Sequence, residues 1–238
     1  MIIKADLHVH TTASDGKNSI DELIAEANAR GLDAIAVSDH NMCTPLPECD
    51  LLLIPGAEIS TESGHVLGLF VRDIDFASIC DKGLPSARDA VSAIHRSGGL
   101  AVLAHPFERK SFQKNVLDSV DFDFIETANS RAVMKFRDAN EKAVSYAEFR
   151  RLPAVGGSDA HSSCELGGSY TEIECAGIRD IETALRDGRT KAVFVRGCSW
   201  FTKAKTRLFV ARKTKNKKKI LKSYLYLIYA AARDIFNH

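Results

Sequence analysis

Ile2-Ile3-Lys4-Ala5-Asp6-Leu7-His8-Val9-His10-Thr11-Thr12-Ala13-Ser14-Asp15-Gly16 opens the chain with an apolar, β-branched run that ends in two histidines, a polar stretch and an acid. Ile2 to Leu7 reads as a first strand. On an extended backbone His8 and His10 point to one face, where two imidazoles can grip one cation. Outward from this stretch the pattern recurs at Asp39-His40, Glu58, His65, His105-Pro106 and Gly157-Ser158-Asp159-Ala160-His161. Each is expected just after a strand-like run, His65 included. Imidazoles and carboxylates gathered at strand ends suit a multinuclear metal site.

The rest of the chain alternates strand-like and helical segments, which predicts parallel β/α units. Ser19 to Arg30 reads as a helix, with Ser19 as N-cap, Glu22 at the capping-box position and Gly31 as the stop. Asp33 to Ser38 is a second strand. Leu51 to Ala57 and His65 to Val71 are a third and fourth, joined by a link too short for a helix. Ala87 to Ser97 is helical and stops at Gly98-Gly99, before the strand Leu100 to Ala104 that delivers His105. Phe122 to Thr127 is a strand and Ala132 to Arg150 a helix, after which Pro153 to Gly156 leads into Gly157-Ser158-Asp159. Ser169 to Glu174, Ile178 to Asp187 and Lys191 to Val195 form a last strand-helix-strand set. In parallel β/α folds the reacting groups come from the carboxyl ends of the strands.

A chain of 238 residues, 45% hydrophobic, can bury one sizeable core and lacks the composition of a disordered or fibrous protein. The net charge of +1 hides an asymmetry: residues 203–238 hold eleven Lys/Arg against the single acid Asp234, so the body is −9 and the tail +10. Two regions are expected, a catalytic domain over 1–202 and a basic, helical extension over 203–238. Six cysteines without a C-x-x-C pair, and no signal peptide, are expected of a cytoplasmic protein with reduced thiols. Cys164, near Asp159 and His161, reads as a small buried hydrophobe.

The motifs D-L-H-V-H-T-T-A-S-D-G at 6–16, S-D-H-N at 38–41, P-G-A-E at 55–58, G-H-V-L-G at 64–68, L-A-H-P at 103–106 and G-S-D-A-H at 157–161 occur in an order that resembles the polymerase and histidinol phosphatase (PHP) family. The resemblance covers roughly residues 1 to 200. It implies an α/β fold, a distorted (β/α)7 TIM-like barrel, binding up to three divalent metals, with Mn, Zn and Fe all suited to such ligands. Carried over, the ligands are His8, His10, Asp15, His40, Glu58, His65, His105, Asp159 and His161. The resemblance assigns His8, His10, Glu58 and Asp159 to one metal, bridging Glu58 with His65 and His105 to a second, and Asp15, His40 and His161 to a third. It implies hydrolysis of phosphate esters by a metal-bound hydroxide, with Asp159 or His161 passing a proton. The substrate class is a phosphomonoester, a nucleotide or an oligonucleotide end. Histidinol phosphate is an alternative because its relatives share the ligands, and relatives that process nucleotides carry a helical insertion whose substantial form is absent between His65 and His105.

Arg131 has a forked donor suited to phosphate oxygens and is read as a substrate contact, set against a salt-bridged Arg at a helix start. Asn129 and Asn41 are weaker polar contacts, and Asp6 and Asp39 orient His ligands or end strands. His95 reads as structural and His238 as a disordered terminus. In the tail, Ile220 to Ala232 is a helix too short for a membrane span, with an apolar stripe of Ile220, Tyr224, Leu227, Ala231 and Ile235. The stripe packs on the barrel or on another subunit, or the basic tail meets anionic lipid or nucleic acid. Two rivals from other classes are an amidohydrolase that is not a phosphatase, and a non-catalytic metal-bound module assisting nucleic-acid machinery.

Overall fold

The computed structural model describes residues 1–81, 83–108 and 113–236, so His238 lies outside the described residues. In chain order the elements are β1 (Ile2–Val9), α1 (Ile20–Ala29), β2 (Ala34–Val37), β3 (Leu52–Thr61), β4 (Gly64–Leu69), α2 (Phe76–Ile79), α3 (Ala87–Arg96), β5 (Leu100–Ala104), α4 (Lys114–Leu117), β6 (Phe124–Asn129), α5 (Ala139–Arg150), β7 (Ala154–Gly157), β8 (Ser169–Glu174), α6 (Ile181–Arg186), β9 (Thr190–Phe194), α7 (Trp200–Lys213) and α8 (Lys217–Phe236). One sheet runs in the order β7-β6-β5-β4-β3-β2-β1-β8-β9. The strands β1 to β7 curl into a distorted α/β barrel, as expected. Its ends meet where Val9 bridges Ala160: the His10 N–H donates to the Ala160 carbonyl at 2.9 Å, and the Ala160 N–H to the His8 carbonyl at 3.2 Å.

Strand directions depart from the expected all-parallel units. β1, β2 and β3 are parallel, and so are β5, β6 and β7, but β4 runs antiparallel to both neighbours. Only Glu62 and Ser63 separate β3 from β4, which permits a hairpin and no crossover. His65 therefore begins its strand instead of following one. Reversal brings the amino end of β4 to the rim formed by the carboxyl ends of the parallel strands, with His65 paired to Ala104 beside His105. The last set is also not a parallel unit: β8 is antiparallel to β1, and β9 to β8. The α6 side chains Ile181, Ala184 and Leu185 instead join the barrel-interior cluster and plug its lower end.

Alternation along the strands divides the core. Ala34, Ala36, Leu67, Leu69 and Val102 fill the interior, while Ile59, Val66 and Leu103 meet Ala90 and Ile94 of α3 outside. β1 breaks the rule usefully. Leu7 belongs to the interior cluster and Val9 to the outer cluster with Leu23 and Ala27 of α1, although the two are two residues apart. The register shift between Asp6 and Val9 explains this, because a bulge inverts the facing of the residues beyond it and turns His8 and His10 inward.

Local rules set the helices. The Ser19 hydroxyl accepts from the Glu22 N–H, and the Glu22 carboxylate accepts from the Ser19 N–H, forming the anticipated capping box. The helix expected over Ala132 to Arg150 is broken into a 3-10 turn, Ala132–Met134, and α5. Asn129 caps the 3-10 turn, its side-chain oxygen accepting the N–H groups of Arg131 and Ala132, both at 2.8 Å.

In the tail, α7 spans Trp200–Lys213 without interruption and pairs with α8 as a helical hairpin. Asp234 takes the Trp200 and Phe201 N–H groups at 3.0 and 2.8 Å, so the tail's one acid caps the α7 amino terminus. The expected stripe on α8 is rotated: Ser223 and Ala230 are buried, while Tyr224 and Ile235 are 42% and 72% exposed. Small side chains let the two helices approach, so they define the contact face. Among the described residues no helix is long and apolar enough to cross a membrane.

Asp6 clasps the barrel seam. One carboxylate oxygen takes the Ser158 N–H at 2.8 Å and the other the Gly167 N–H at 2.9 Å. Burial pushes its carboxyl up to about 6, against these bonds, which favour the anion. Asp6→Ala would strand both buried donors, and urea unfolding should report a loss of about 3 kcal/mol. A loss under about 1 kcal/mol would show that the clasp does not hold the seam.

Candidate metal centre

Glu58 projects from the middle of β3 and is 1% exposed. One of its oxygens lies 2.7 Å from His65 Nδ1 and 3.0 Å from His105 Nε2. The other lies 3.0 Å from His40 Nδ1, 3.3 Å from His10 Nε2 and 3.5 Å from His8 Nε2. Asp159 Oδ1 approaches His161 Nδ1 at 3.3 Å, His10 Nε2 at 3.5 Å and His8 Nε2 at 3.8 Å. Asp15 Oδ1 faces His161 Nε2 at 3.2 Å and His40 Nε2 at 3.6 Å. All nine residues singled out in the sequence thus converge at one end of the barrel.

Their donor atoms form three overlapping groups with mutual distances within 4.8 Å: His8, His10 and Asp159; His8, Glu58 and His105; and His10, Asp15, His40 and His161. His65 joins the second through its contact with Glu58. The groups share His8 and His10, where the resemblance shares only Glu58. Several of these atoms are buried yet make no hydrogen bond: His8 Nε2, both ring nitrogens of His10, Asp15 Oδ1 and His40 Nδ1. Buried polar atoms left this way are costly unless another ligand satisfies them. Imidazole nitrogen and carboxylate oxygen are the donor set for divalent first-row cations, so these residues fit such ions.

The backbone adapts to the same end. His105 and Asp159 have φ of 26° and 55°, a left-handed region that β-carbon residues rarely occupy. Strand alternation would place His105 with Ala101 and Leu103 on the outer face, and the reversal of φ turns its ring to Glu58. Gly157 lets β7 pass β1, because a Cβ there would sit 2.4 Å from the Cβ of His8.

Two carboxylates escaped the sequence reading. Glu126, 1% exposed, places one oxygen 3.0 Å from His8 Nδ1, while the other takes the His105 N–H at 2.9 Å and the Asn129 amide at 3.0 Å. It fixes the His8 ring with Nε2 turned to Glu58 and Asp159. Glu165 takes the His161 N–H at 2.9 Å and the Arg131 Nε–H at 3.2 Å. An acid inside the apolar run Phe124-Ile125-Glu126 was the available signal for the first; the turn bearing Glu165 offers none.

Arg131 is buried and salt-bridged to Glu165, so it is not a surface residue, and it also lines the cavity beside Asp15 and His161. Asn129 and Asn41 serve the backbone, Asn41 by accepting the Ser60 N–H at 2.9 Å. Asp39 takes the Thr11 N–H and the hydroxyls of Thr11, Ser14 and Thr44, which shapes the loop that carries Asp15. His95 is exposed and pairs with Asp123 at 2.8 Å. Cys164 is exposed, a correction to its expected burial, because its turn faces solvent; Cys198 instead contacts Glu165.

Electrostatics follow the contacts. Burial disfavours the imidazolium of His8, but Glu126, Glu58 and Asp159 outweigh it and hold the ring well above its ordinary range. Against the same desolvation, Asp159 and Glu58 lift His10 to about 9, and Glu58 and Glu108 lift His105 to about 9. Burial works to raise Glu58 and Asp159, yet His8 and the other imidazoles hold both well below the carboxylate range. His40 behaves oppositely: burial, helped by His10 and His161, lowers it to about 4.

Between pH 4 and 6.5 the unfolded chain binds the His40 proton that the fold refuses, so stability rises with pH. Between 6.5 and 9 the fold holds protons on His10 and His105 that the unfolded chain releases, so stability falls. Denaturation of chelator-treated protein should show these groups' contribution peaking near pH 6.5. A midpoint still climbing from pH 7 to 9 would contradict the assigned contacts.

Comparison with known proteins agrees with this architecture. Residues 6–132 match the model of the PHP domain, and residues 137–190 that of a PHP-associated region. An uncharacterized protein of Methanocaldococcus jannaschii is 33% identical over 179 residues, 72% of this chain and 70% of the relative. A 5′-3′ exoribonuclease of Haemophilus influenzae is 39% identical over 80 residues, 29% of each chain. A Bacteroides vulgatus structure, a two-domain protein containing a predicted PHP-like metal-dependent phosphoesterase, superposes with a TM-score of 0.60 at 21% identity, which shows a shared fold; the match covers 82% of this chain and 65% of that one. With over half of its length matched by one family model, and that half carrying most of the histidines and acids gathered around Glu58, the chain belongs to the PHP domain family.

Proposed function

We propose that the protein is a metal-dependent phosphoesterase that hydrolyses a phosphomonoester, a nucleotide or a nucleic-acid end. The observation that carries this is the convergence of nine imidazole and carboxylate side chains with buried, unsatisfied donor atoms beside the buried guanidinium of Arg131. Up to three divalent cations, of the Mn, Zn or Fe type, would be held by His8, His10, Asp15, His40, Glu58, His65, His105, Asp159 and His161. When bound they supply neutralisation of phosphate charge and a water whose pKa falls from about 15.7 toward 7.

The chain's own residues do the rest. Glu126 holds the His8 ring by its Nδ1, which presents Nε2 inward. Glu165 anchors Arg131 by Nε, leaving the guanidinium beside Asp15 and His161 to take phosphate oxygens. Burial, with His10 and Arg131 nearby, holds His161 below the usual histidine range, so the ring is neutral and its Nε2, 3.2 Å from Asp15, can serve as a ligand. Asp159, whose backbone oxygen lies 2.9 Å from His161 Nδ1, orients that ring. The likeness to the Haemophilus exoribonuclease supports a nucleotide or nucleic-acid substrate over histidinol phosphate. Six free thiols support a cytoplasmic setting.

Protein supplied with Mn²⁺ should hydrolyse p-nitrophenyl phosphate or its bis ester, and His8→Ala or Asp159→Ala should abolish turnover. Retained activity in both variants rejects this site. Glu126→Gln should weaken metal affinity by about 10- to 100-fold, read by metal titration with elemental analysis. Unchanged affinity would remove Glu126 from the supporting contacts.

A further inference from the structure

The α7–α8 hairpin lies outside the residues matched by the family models, yet it forms one wall of the site. A cavity of about 270 Å³ opens beside Asp15, Arg131 and His161, and its far side is made by Lys203, Thr206 and Arg207 of α7 with Tyr226 of α8. Three cations, Arg131, Lys203 and Arg207, thus face one space, with Asp15 the single carboxylate among its described lining residues. Lys203 is 23% exposed, and the acid it pairs with, Glu108, stands 4.0 Å away. Burial and the neighbouring Arg131 both depress its ammonium, with Lys135 adding to the repulsion. Arg207 lies over the Tyr226 ring at 4.8 Å, which fixes its position without neutralising it.

Like charges held together at the edge of an apolar wall repel unless an anion joins them. Arg131 follows β6 and is held by Glu165, which also takes the His161 N–H, so it belongs with the scissile phosphate on the reading proposed above, whereas Lys203 and Arg207 stand one turn apart on α7. We propose that Lys203 and Arg207 form a second anion subsite, so that preferred substrates are phosphate esters bearing a further phosphate or carboxylate beyond the phosphoryl group being removed. This inference rests on the phosphoesterase reading for its orientation, but not for the existence of the subsite.

The test compares two matched pairs: adenosine 5′-monophosphate with adenosine 3′,5′-bisphosphate, and glycerol 3-phosphate with 3-phosphoglycerate. Each ester is measured twice, by turnover of the full chain with Mn²⁺ and by calorimetric binding to the full chain in chelator, where no metal contributes. The wild type should favour the member with two anionic groups in at least one pair in both measurements, the pair identifying phosphate or carboxylate as the second anion. Lys203→Gln/Arg207→Gln should reduce that preference by about tenfold or more, the loss of a charge-assisted contact, and Lys203→Arg should retain it. Circular dichroism of the variants checks that α7 still forms. Equal discrimination in wild type and double variant, or none in the wild type, overturns the subsite. Binding discrimination without turnover of any ester upholds the subsite and overturns the phosphoesterase reading instead.

Discussion

A carboxylate buried beyond the reach of water is tolerated only if its charge is met from within the fold, and Glu58 is met by five imidazoles at 2.7 to 3.5 Å. Those rings come from β1, the end of β2, β4 and the end of β5, so satisfying one side chain fixes the relative positions of four strands. A purely structural solution would pair Glu58 with one or two donors and fill the remaining space with aliphatic groups. Here the surplus of nitrogen atoms, several without hydrogen bonds, marks the centre as built for something more than holding the barrel together.

Bringing the rings to one rim required departures from regular geometry, each with a local cause. The bulge in β1 turns two histidines inward where alternation alone would keep Leu7 and Val9 on one face. The tight hairpin before β4 reverses a strand so that its first residues, not its last, reach the rim. Around these, carboxylates act as fasteners: Asp6 across the seam, Asp39 beneath the loop bearing Asp15, Glu126 behind His8 and Glu165 behind Arg131 and His161. Acidic side chains in this protein thus serve two layers, one facing the centre and one holding it in place.

Much of this was legible in the sequence. Ser19 with Glu22, Gly98-Gly99 before Leu100 to Ala104, and the histidine motifs are short-range signals, each complete within a few residues. Strand direction was not, because the run from His65 reads the same whichever way it pairs, and only the two-residue link argues for a hairpin. Apolar bulk points to the wrong face of α8, because Ser223 and Ala230 pack by being small. Glu126 and Glu165 could not be ranked without knowing what lay opposite them. The part played by α7 in the cavity wall depends on a fold-back of the chain that no local pattern encodes.

The left-handed backbone at His105 and Asp159 has a consequence for how this protein would respond to engineering or drift. Such conformations cost roughly 1–3 kcal/mol for residues bearing a β-carbon, and glycine would relieve it. Relief of that strain is opposed by what the same side chains touch, His105 with Glu58 at 3.0 Å and Asp159 with His161 at 3.3 Å, because removing one partner of a buried charge pair costs more than a strained φ. Backbone strain at these two positions is thus held in place by the charge pairing of the centre itself, so the barrel cannot shed the one without losing the other.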